Sequence, residues 1–408
     1  MKKHLNLVCC LMLFTVPIFY SQLTMGSPQM RHQQWDCYAV FTVLVMAMMI
    51  RNIFVSSFLL LSLAHFFFFQ NPFSETHLFQ TVVSSLVFYV FSTYEIKNYK
   101  ETLLGLFILN ISMATVQHLG LDVYTWMTWS ENGMLGLPAY LGIFSALVTP
   151  LVCTISPWFL VLGIIGVFWS KSMFCVLALS VSMFFYGLRF WDKRVLLLLV
   201  SLGLLVIPLA LQDNHVQQSS RRLPVWKMVA SKAFRNPFFG WGMGSFDQQM
   251  VLEFNDKGKR QWFQAKEVPE NYEAISAKLY DIQAQTGEIQ VPYGHDKDSI
   301  NQQLSHIRSR GIEIYRWDSP HSHYLDVFFG YGFIGMFLLI GFIREKLSMI
   351  YSTFLCLDKE CIALGCSFIA LLIVSLVHFP LSVAKLNVIC VALIGALDRK
   401  LHHSSKTS

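Results

Sequence analysis

Along this chain the apolar residues come in long blocks rather than in alternation with polar ones. A helix needs about 20 apolar residues to cross the hydrocarbon core of a bilayer, and shorter runs suffice where flanking side chains snorkel. Blocks of this kind fall at 5–20, 37–50, 53–69, 78–94, 102–117, 139–154, 157–169, 173–190, 194–211, 323–343, 361–379 and 384–397. The pattern predicts an all-α, polytopic membrane protein of about 12 transmembrane helices. Only Arg51-Asn52 separates one pair of blocks, and only Ser156-Pro157 another, so each pair also reads as one longer helix. Met1-Lys2-Lys3 followed by Leu5–Tyr20 has the shape of a signal peptide. No small-x-small cleavage site follows cleanly, so the segment reads as an uncleaved first helix. No period of 20–50 residues repeats along the chain, which argues against a solenoid.

One polar stretch interrupts the blocks. It divides the chain into N-terminal transmembrane helices (1–211), a large loop (212–320) and C-terminal transmembrane helices (321–408). The loop carries Trp226, Trp241, Trp262 and Trp317 among mixed charges. Leu223, Trp226, Val229, Ala230, Ala233 and Phe234 recur at helical spacing, with Lys227, Ser231, Lys232 and Arg235 off that face. This predicts an amphipathic helix at the membrane surface, stopped by Asn236-Pro237. Val268, Tyr272, Ile275, Leu279 and Ile282 predict a second. A structureless loop of this length is uncommon, so a small folded cap over the spans is expected.

Composition agrees with the pattern. The 408 residues are 54% hydrophobic and 14% charged, where soluble domains run nearer to a quarter charged. The nine cysteines show no CxxC pair and no Cys/His metal spacing, so neither disulfides nor structural zinc are expected. The net charge of +6 matters less than its placement. With the N-terminus in the cytoplasm, the inner side receives Lys2, Lys3, Arg51, Lys97, Lys100, Arg189, Lys193, Arg194, Arg344, Lys346, Lys359, Arg399, Lys400 and Lys406. The short outer loops receive Arg31, Lys171 and Lys385. The positive-inside rule then puts both termini in the cytoplasm and the loop 212–320 outside, in a bacterium the periplasm. Membrane lipids are the expected surroundings, and no nucleic acid partner is expected.

Three segments could carry chemistry. In Ser219–Trp226 two arginines, Arg221 and Arg222, sit where a span gives way to the interfacial helix. Guanidinium forks fit phosphate oxygens, so the pair suits a lipid phosphate or pyrophosphate. Ordinary anchoring to headgroups is the plainer reading. In Asn236–Phe246 three glycines, Gly240, Gly242 and Gly244, alternate, allowing tight turns and close backbone approach. The spacing is not that of a nucleotide loop, and alone it reads as a turn. In Ser319–Asp326, Ser319 can cap a helix and Pro320 fits its first position. His321 then lies in the first turn, where the helix dipole disfavours imidazolium. A neutral imidazole there can take a proton from an attacking hydroxyl, and the helix end favours an anion. His321 and His323, two apart, face different ways, which argues against a two-histidine metal site. Both also read as interfacial histidines without a role. Lys385, near His378 and Pro380, either snorkels or points inward at an anion.

In this order the segments resemble the O-antigen ligase and polymerase superfamily of bacterial envelope glycosyltransferases. Arg222 and Trp226 keep that family's spacing of four, and Pro237, Gly240, Gly242 and Phe246 stand at its turn positions. His321, Ser322, Leu325, Gly332 and Gly335 match its later motif, and His378-Phe379-Pro380-Leu381 its last one. The resemblance covers roughly 210–400. Ser322 stands where the family often has asparagine. Gly133–Pro138 stands where it often has Gly-x-x-Asn-x-Asn.

The resemblance implies a GT-C-like, inverting glycosyltransferase of the inner membrane, without a cofactor. Its donor would be a glycan on undecaprenyl pyrophosphate, and its acceptor a sugar hydroxyl, foremost on lipid A-core. His321 would activate or orient the acceptor hydroxyl. Arg222 would bind the pyrophosphate and stabilise the leaving group, with Arg221 or a later arginine; Arg308, Arg310 and Arg316 all qualify. No metal is needed where arginines supply that charge. An O-antigen polymerase and a protein O-oligosaccharyltransferase share this chemistry. A transporter or flippase is the reading from another class, and would call for charged residues within the spans or internal repeats.

Overall fold

The computed structural model describes residues 6–11, 13, 33–68, 74–119, 138–191, 226–227, 229–242, 322–353, 358–378, 380–381 and 384–407. Among them the fold is all-helical, with no strand. Ten long helices follow in chain order: α1 (Gln33–Met49), α2 (Ile53–Phe68), α3 (Ser74–Thr93), α4 (Tyr99–His118), α5 (Pro138–Val152), α6 (Phe159–Ser170), α7 (Met173–Phe190), α8 (His323–Thr353), α9 (Lys359–Val374) and α10 (Ala384–Thr407). Residues 6–11 and a short segment, 226–233 with Met228 outside the described residues, are also helical. Both narrow gaps are true breaks. Asn52 Oδ1 accepts the Val55 N–H at 3.1 Å and so caps α2, and the turn over 153–158 separates α5 from α6.

Two helices are long and apolar enough to cross a membrane, Met173–Phe190 and His323–Tyr351. Shorter apolar helices include Ile53–Phe68, Ala139–Val152 and Phe159–Ser170. The predicted spans 194–211 and most of 5–20 lie outside the described residues, as does the second amphipathic helix, 268–282. Three C-terminal boundaries move by five residues or more. The block 323–343 belongs to a helix that continues to Thr353, 361–379 shortens to end at Val374, and the helix from Ala384 continues to Thr407.

The centre of the bundle is α5, buried along its length from Leu141 to Val152, with α9 and α10 against it. Gly163 and Gly166 let α6 lie close on α5: a methyl at either would collide with Thr149 or Ser145. Small residues serve this purpose where helices pack without a hydrophobic drive between them. The rim is apolar and outward-facing, with Met48, Phe68, Phe168, Phe337 and Tyr351 all more than two-thirds exposed.

Contacts between helix ends sort the connections into two groups. At one end Asn52 donates to Glu345 at 2.9 Å, Arg399 to the Tyr94 carbonyl at 2.6 Å, and Lys359 to the Thr154 carbonyl at 3.3 Å. Lys100 pairs with Glu360 at 3.2 Å, and Lys400 with Asp358 at 3.0 Å. At the other end Gln80 donates to the Leu381 carbonyl at 2.9 Å, and Ser172 Oγ lies 3.4 Å from His378 Nε2. Two basic residues depart from the sequence reading. Lys346, placed in an inner loop by charge counting, is fully buried within α8 between Glu345 at 2.5 Å and Asp398. Lys232, assigned to the polar face of its helix, is 7% exposed and lies over the Trp241 ring.

Candidate functional site

α8 is two helical pieces joined at Gly332, whose φ of 62° and ψ of −155° no L side chain adopts readily. In an unbroken helix Phe333 and Ile334 would donate to Phe329 and Gly330. Here the turn 237–242 takes over all four groups. Phe333 N–H donates to the Pro237 carbonyl at 2.6 Å, and Ile334 N–H to Phe238 at 3.3 Å. In return Trp241 N–H donates to Phe329 at 2.8 Å, and Gly242 N–H to Gly330 at 3.0 Å. The turn therefore staples the break.

Gly240 (φ 71°) and Gly242 (φ 98°) give the turn its shape. A methyl at Gly240 would stand 2.5 Å from the Gly330 carbonyl, and one at Gly332 would stand 2.5 Å from the Pro237 oxygen. Each backbone needs the other's glycine. Asn236 closes the turn, its carbonyl accepting from Gly240 N–H at 3.0 Å and its side chain donating back to the Gly240 carbonyl. The short helix before the turn buries Val229 and Ala233 against Phe328 and Phe329. Trp241 Nε1 donates to the Lys232 carbonyl at 2.9 Å, and the Lys232 ammonium sits 4.8 Å from the Trp241 ring centre. That cation–π contact accounts for the burial of Lys232.

The first turn of α8 meets the last turn of α9. His323 N–H donates to the carbonyls of Ser375 at 2.9 Å and His378 at 3.0 Å. Ser322 stands at the capping position, its carbonyl accepting from Asp326 at 2.9 Å. The helix thus starts later than Ser319-Pro320 implied, and His323 rather than His321 occupies its first turn. At the end of the first piece, just before the break, Tyr331 reaches α2: its hydroxyl lies 3.1 Å from Ser62 Oγ, and its ring lies 4.8 Å from those of Phe58 and His65.

A cavity of about 280 Å³ lies between α2, α3, α8 and α10. Gln80, Ser84, His323, Asp326 and Asn387 line its outer part, and Phe54, Phe88, Leu338, Phe342 and Ile394 its inner part. Ser84 donates to Asn387 Oδ1 at 2.6 Å, and Asn387 donates to the Leu381 carbonyl. His323 Nδ1 is buried and has no hydrogen-bond partner among the described residues.

The structure thus joins Pro237, Gly240 and Gly242 to Gly332, and Ser322–His323 to His378. The predicted chemical groups themselves, Arg221, Arg222, Arg308, Arg310, Arg316 and His321, lie outside the described residues, with Phe246, Phe379 and the side chain of Lys385. The sequence also holds one Asp-x-Asp pair, Asp296 and Asp298, in the polar stretch and outside the described residues. The expectation of metal-free chemistry therefore rests on the arginines alone. Sequence reasoning missed the helix break and the polar collar of Gln80, Ser84 and Asn387. Gly330, Gly332 and Gly335 within one apolar block signalled the break. The collar left only isolated polar residues in apolar blocks. Comparison of the whole chain with protein-family models and with curated proteins gives no match.

Proposed function

We propose that the chain is a polytopic inner-membrane glycosyltransferase of the O-antigen ligase type. It moves a glycan from undecaprenyl pyrophosphate to a hydroxyl of lipid A-core on the periplasmic face. The observation that carries this reading is the meeting of segments far apart in sequence. The turn 237–242 is bonded across Gly332, and the start of α8 is bonded to Ser375 and His378. These are the pieces on which the resemblance rests, and their described parts, the turn 237–242, Ser322–His323 and His378, lie along the first piece of α8. The apolar rim suits lipid. The connections gathered at the Lys100, Lys359 and Lys400 end are those that charge counting assigns to the cytoplasm. About twelve spans with both termini inside follow from the same reading.

In this mechanism the acceptor oxygen attacks the anomeric carbon of the donor sugar. The bond from that carbon to the pyrophosphate oxygen breaks, and undecaprenyl pyrophosphate leaves. His321 accepts the hydroxyl proton. Arg222, with Arg221 or one of Arg308, Arg310 and Arg316, holds the charge that builds on the leaving group. Attack from the opposite face inverts the anomeric centre.

The test is a lipopolysaccharide gel on a deletion strain complemented with wild type or His321→Ala. Loss of every O-antigen band with lipid-linked polymer accumulating, restored by wild type alone, is the expected result. A single repeat left on the core would assign the chain to polymerisation instead. An unchanged ladder would overturn both. In the purified enzyme, loss of transfer on adding EDTA would overturn the arginine account.

A further inference from the structure

The cavity between α2, α3, α8 and α10 is graded in polarity along its length. Gln80 to Phe88 on α3 and Asn387 to Ile394 on α10 each run from the outer end inward, over about 10–12 Å at 1.5 Å per residue. On both helices the outer lining is amide and hydroxyl, and the inner lining is phenyl or branched aliphatic. α8 repeats the gradient from His323 to Phe342. Three helices thus change character at the same depth, which a packing void between apolar helices would not do.

The polar part is prepared for hydrogen bonding. Asn387 is held by Ser84 and by the Leu381 carbonyl, and Gln80 by that same carbonyl, so the two amides are fixed side by side. His323 is fixed through its backbone by Ser375 and His378, yet its buried Nδ1 has no partner among the described residues. A buried ring nitrogen left without a hydrogen bond is costly, so a ligand that supplies the bond recovers that cost. Amides, hydroxyls, an imidazole and the Asp326 carboxylate match the alternating donors and acceptors of hydroxyl groups, and the carboxylate disfavours an anionic head. The volume is close to the lower bound of about 300 Å³ for small-molecule sites, enough for one chain and not for a two-tailed lipid.

We propose that this cavity is a binding site for a single-chain amphiphile with a hydroxyl-rich head, an alkyl or prenyl glycoside. The chain lies against Phe88, Phe342 and Ile394, and the first sugar sits at Gln80, His323 and Asn387. The proposal stands on the cavity alone and holds whether or not the chain transfers a glycan.

The test uses the full-length protein in lipid nanodiscs, with decyl glucoside carrying a diazirine near the end of its chain. Photolabelling is expected to saturate and to map to peptides of α3, α8 and α10 around Phe88, Phe342 and Ile394. Unlabelled decyl glucoside is expected to compete at least tenfold better than decyl phosphate. His323→Leu, which removes one head contact, is expected to weaken labelling roughly fivefold. Val391→Trp, which fills the chamber, is expected to abolish it. Unsaturable labelling spread over the rim would overturn the site. Equal competition by decyl phosphate, or full labelling of a folded His323→Leu protein, would overturn the assignment of the head. If Val391→Trp does not fold, the labelled positions and the His323→Leu protein still decide.

Discussion

Replacing Gly332 by alanine tests the stapled break directly. At φ 62° and ψ −155° the backbone lies where glycine alone is at ease, and an L residue there costs about 1–3 kcal/mol. The new methyl would also stand 2.5 Å from the Pro237 oxygen and closer still to that of Phe238. The turn must then withdraw and weaken the Phe333–Pro237 and Ile334–Phe238 bonds, each contributing about 0.5–1.5 kcal/mol. Together the penalty is about 2–6 kcal/mol, a large share of a marginal stability. Thermal denaturation in detergent, followed by the monodisperse fraction on size exclusion, should show Gly332→Ala melting roughly 5 °C or more below wild type. Gly105→Ala is the control. It lies in α4 with nothing within 4 Å of an added methyl, so it should match wild type or gain up to about 1 kcal/mol from helix propensity. A Gly332→Ala protein that melts with wild type would refute the break and its staple.

Two further outcomes follow from the opposite end of the bundle. Lys346→Met leaves Asp398, only 4% exposed, without its ammonium partner, and should cost about 3–5 kcal/mol; Lys346→Met with Asp398→Leu should recover most of that in the same melt. Burial opposes ionisation of Asp358 and Glu360, but the Cys361 N–H and Lys400 at Asp358, and Tyr99, Lys400 and Lys100 at Glu360, outweigh it and hold both below the usual carboxylate range. Depressed carboxylates give stability that is present above their unfolded pKa and lost as pH falls through the folded one. Lys400→Met should therefore move the onset of acid unfolding to higher pH, while changing stability near neutrality by less than about 1 kcal/mol because the pair is part-exposed. An acid profile identical to wild type would remove the role given to Lys400.

How much of this was legible in sequence differs from element to element. Met173–Phe190 was readable to the residue, because an apolar block bounded by Lys171 and by Trp191-Asp192-Lys193 leaves little freedom. α8 was readable at its start and not at its end. Its last turns carry Arg344, Glu345 and Lys346, which hydropathy treats as loop. The structure instead buries Lys346 against Asp398 on α10, a pairing across helices that no local window contains. The cap position shifted for a related reason. Ser319 and Pro320 have the local propensity to begin a helix, but the helix begins where carbonyls from α9 receive the His323 N–H. Lys232 followed the helical period on paper, yet the Trp241 ring nine residues on offers it a better place than water. The two glycine segments were readable as motifs and not as partners, since each alone describes only a turn.

Their partnership has a consequence for the site. A helix cannot be broken in apolar surroundings unless every freed N–H and C=O finds another partner. α8 meets that demand with one turn of chain some ninety positions earlier, which returns two donors and two acceptors in register. The outer piece of α8 is therefore clamped at both ends, by the turn at Phe329–Gly330 and by α9 at His323. It is held independently of the long inner piece, and it carries both His323 and Asp326 into the wall of the cavity. An unbroken helix would have tied the direction of those side chains to the register of the long inner piece. The break separates the two tasks. The inner piece is tied to the bundle through Glu345 to Asn52 and Lys346 to Asp398, and the outer piece, besides its two clamps, rests on α2 through Tyr331 and Ser62.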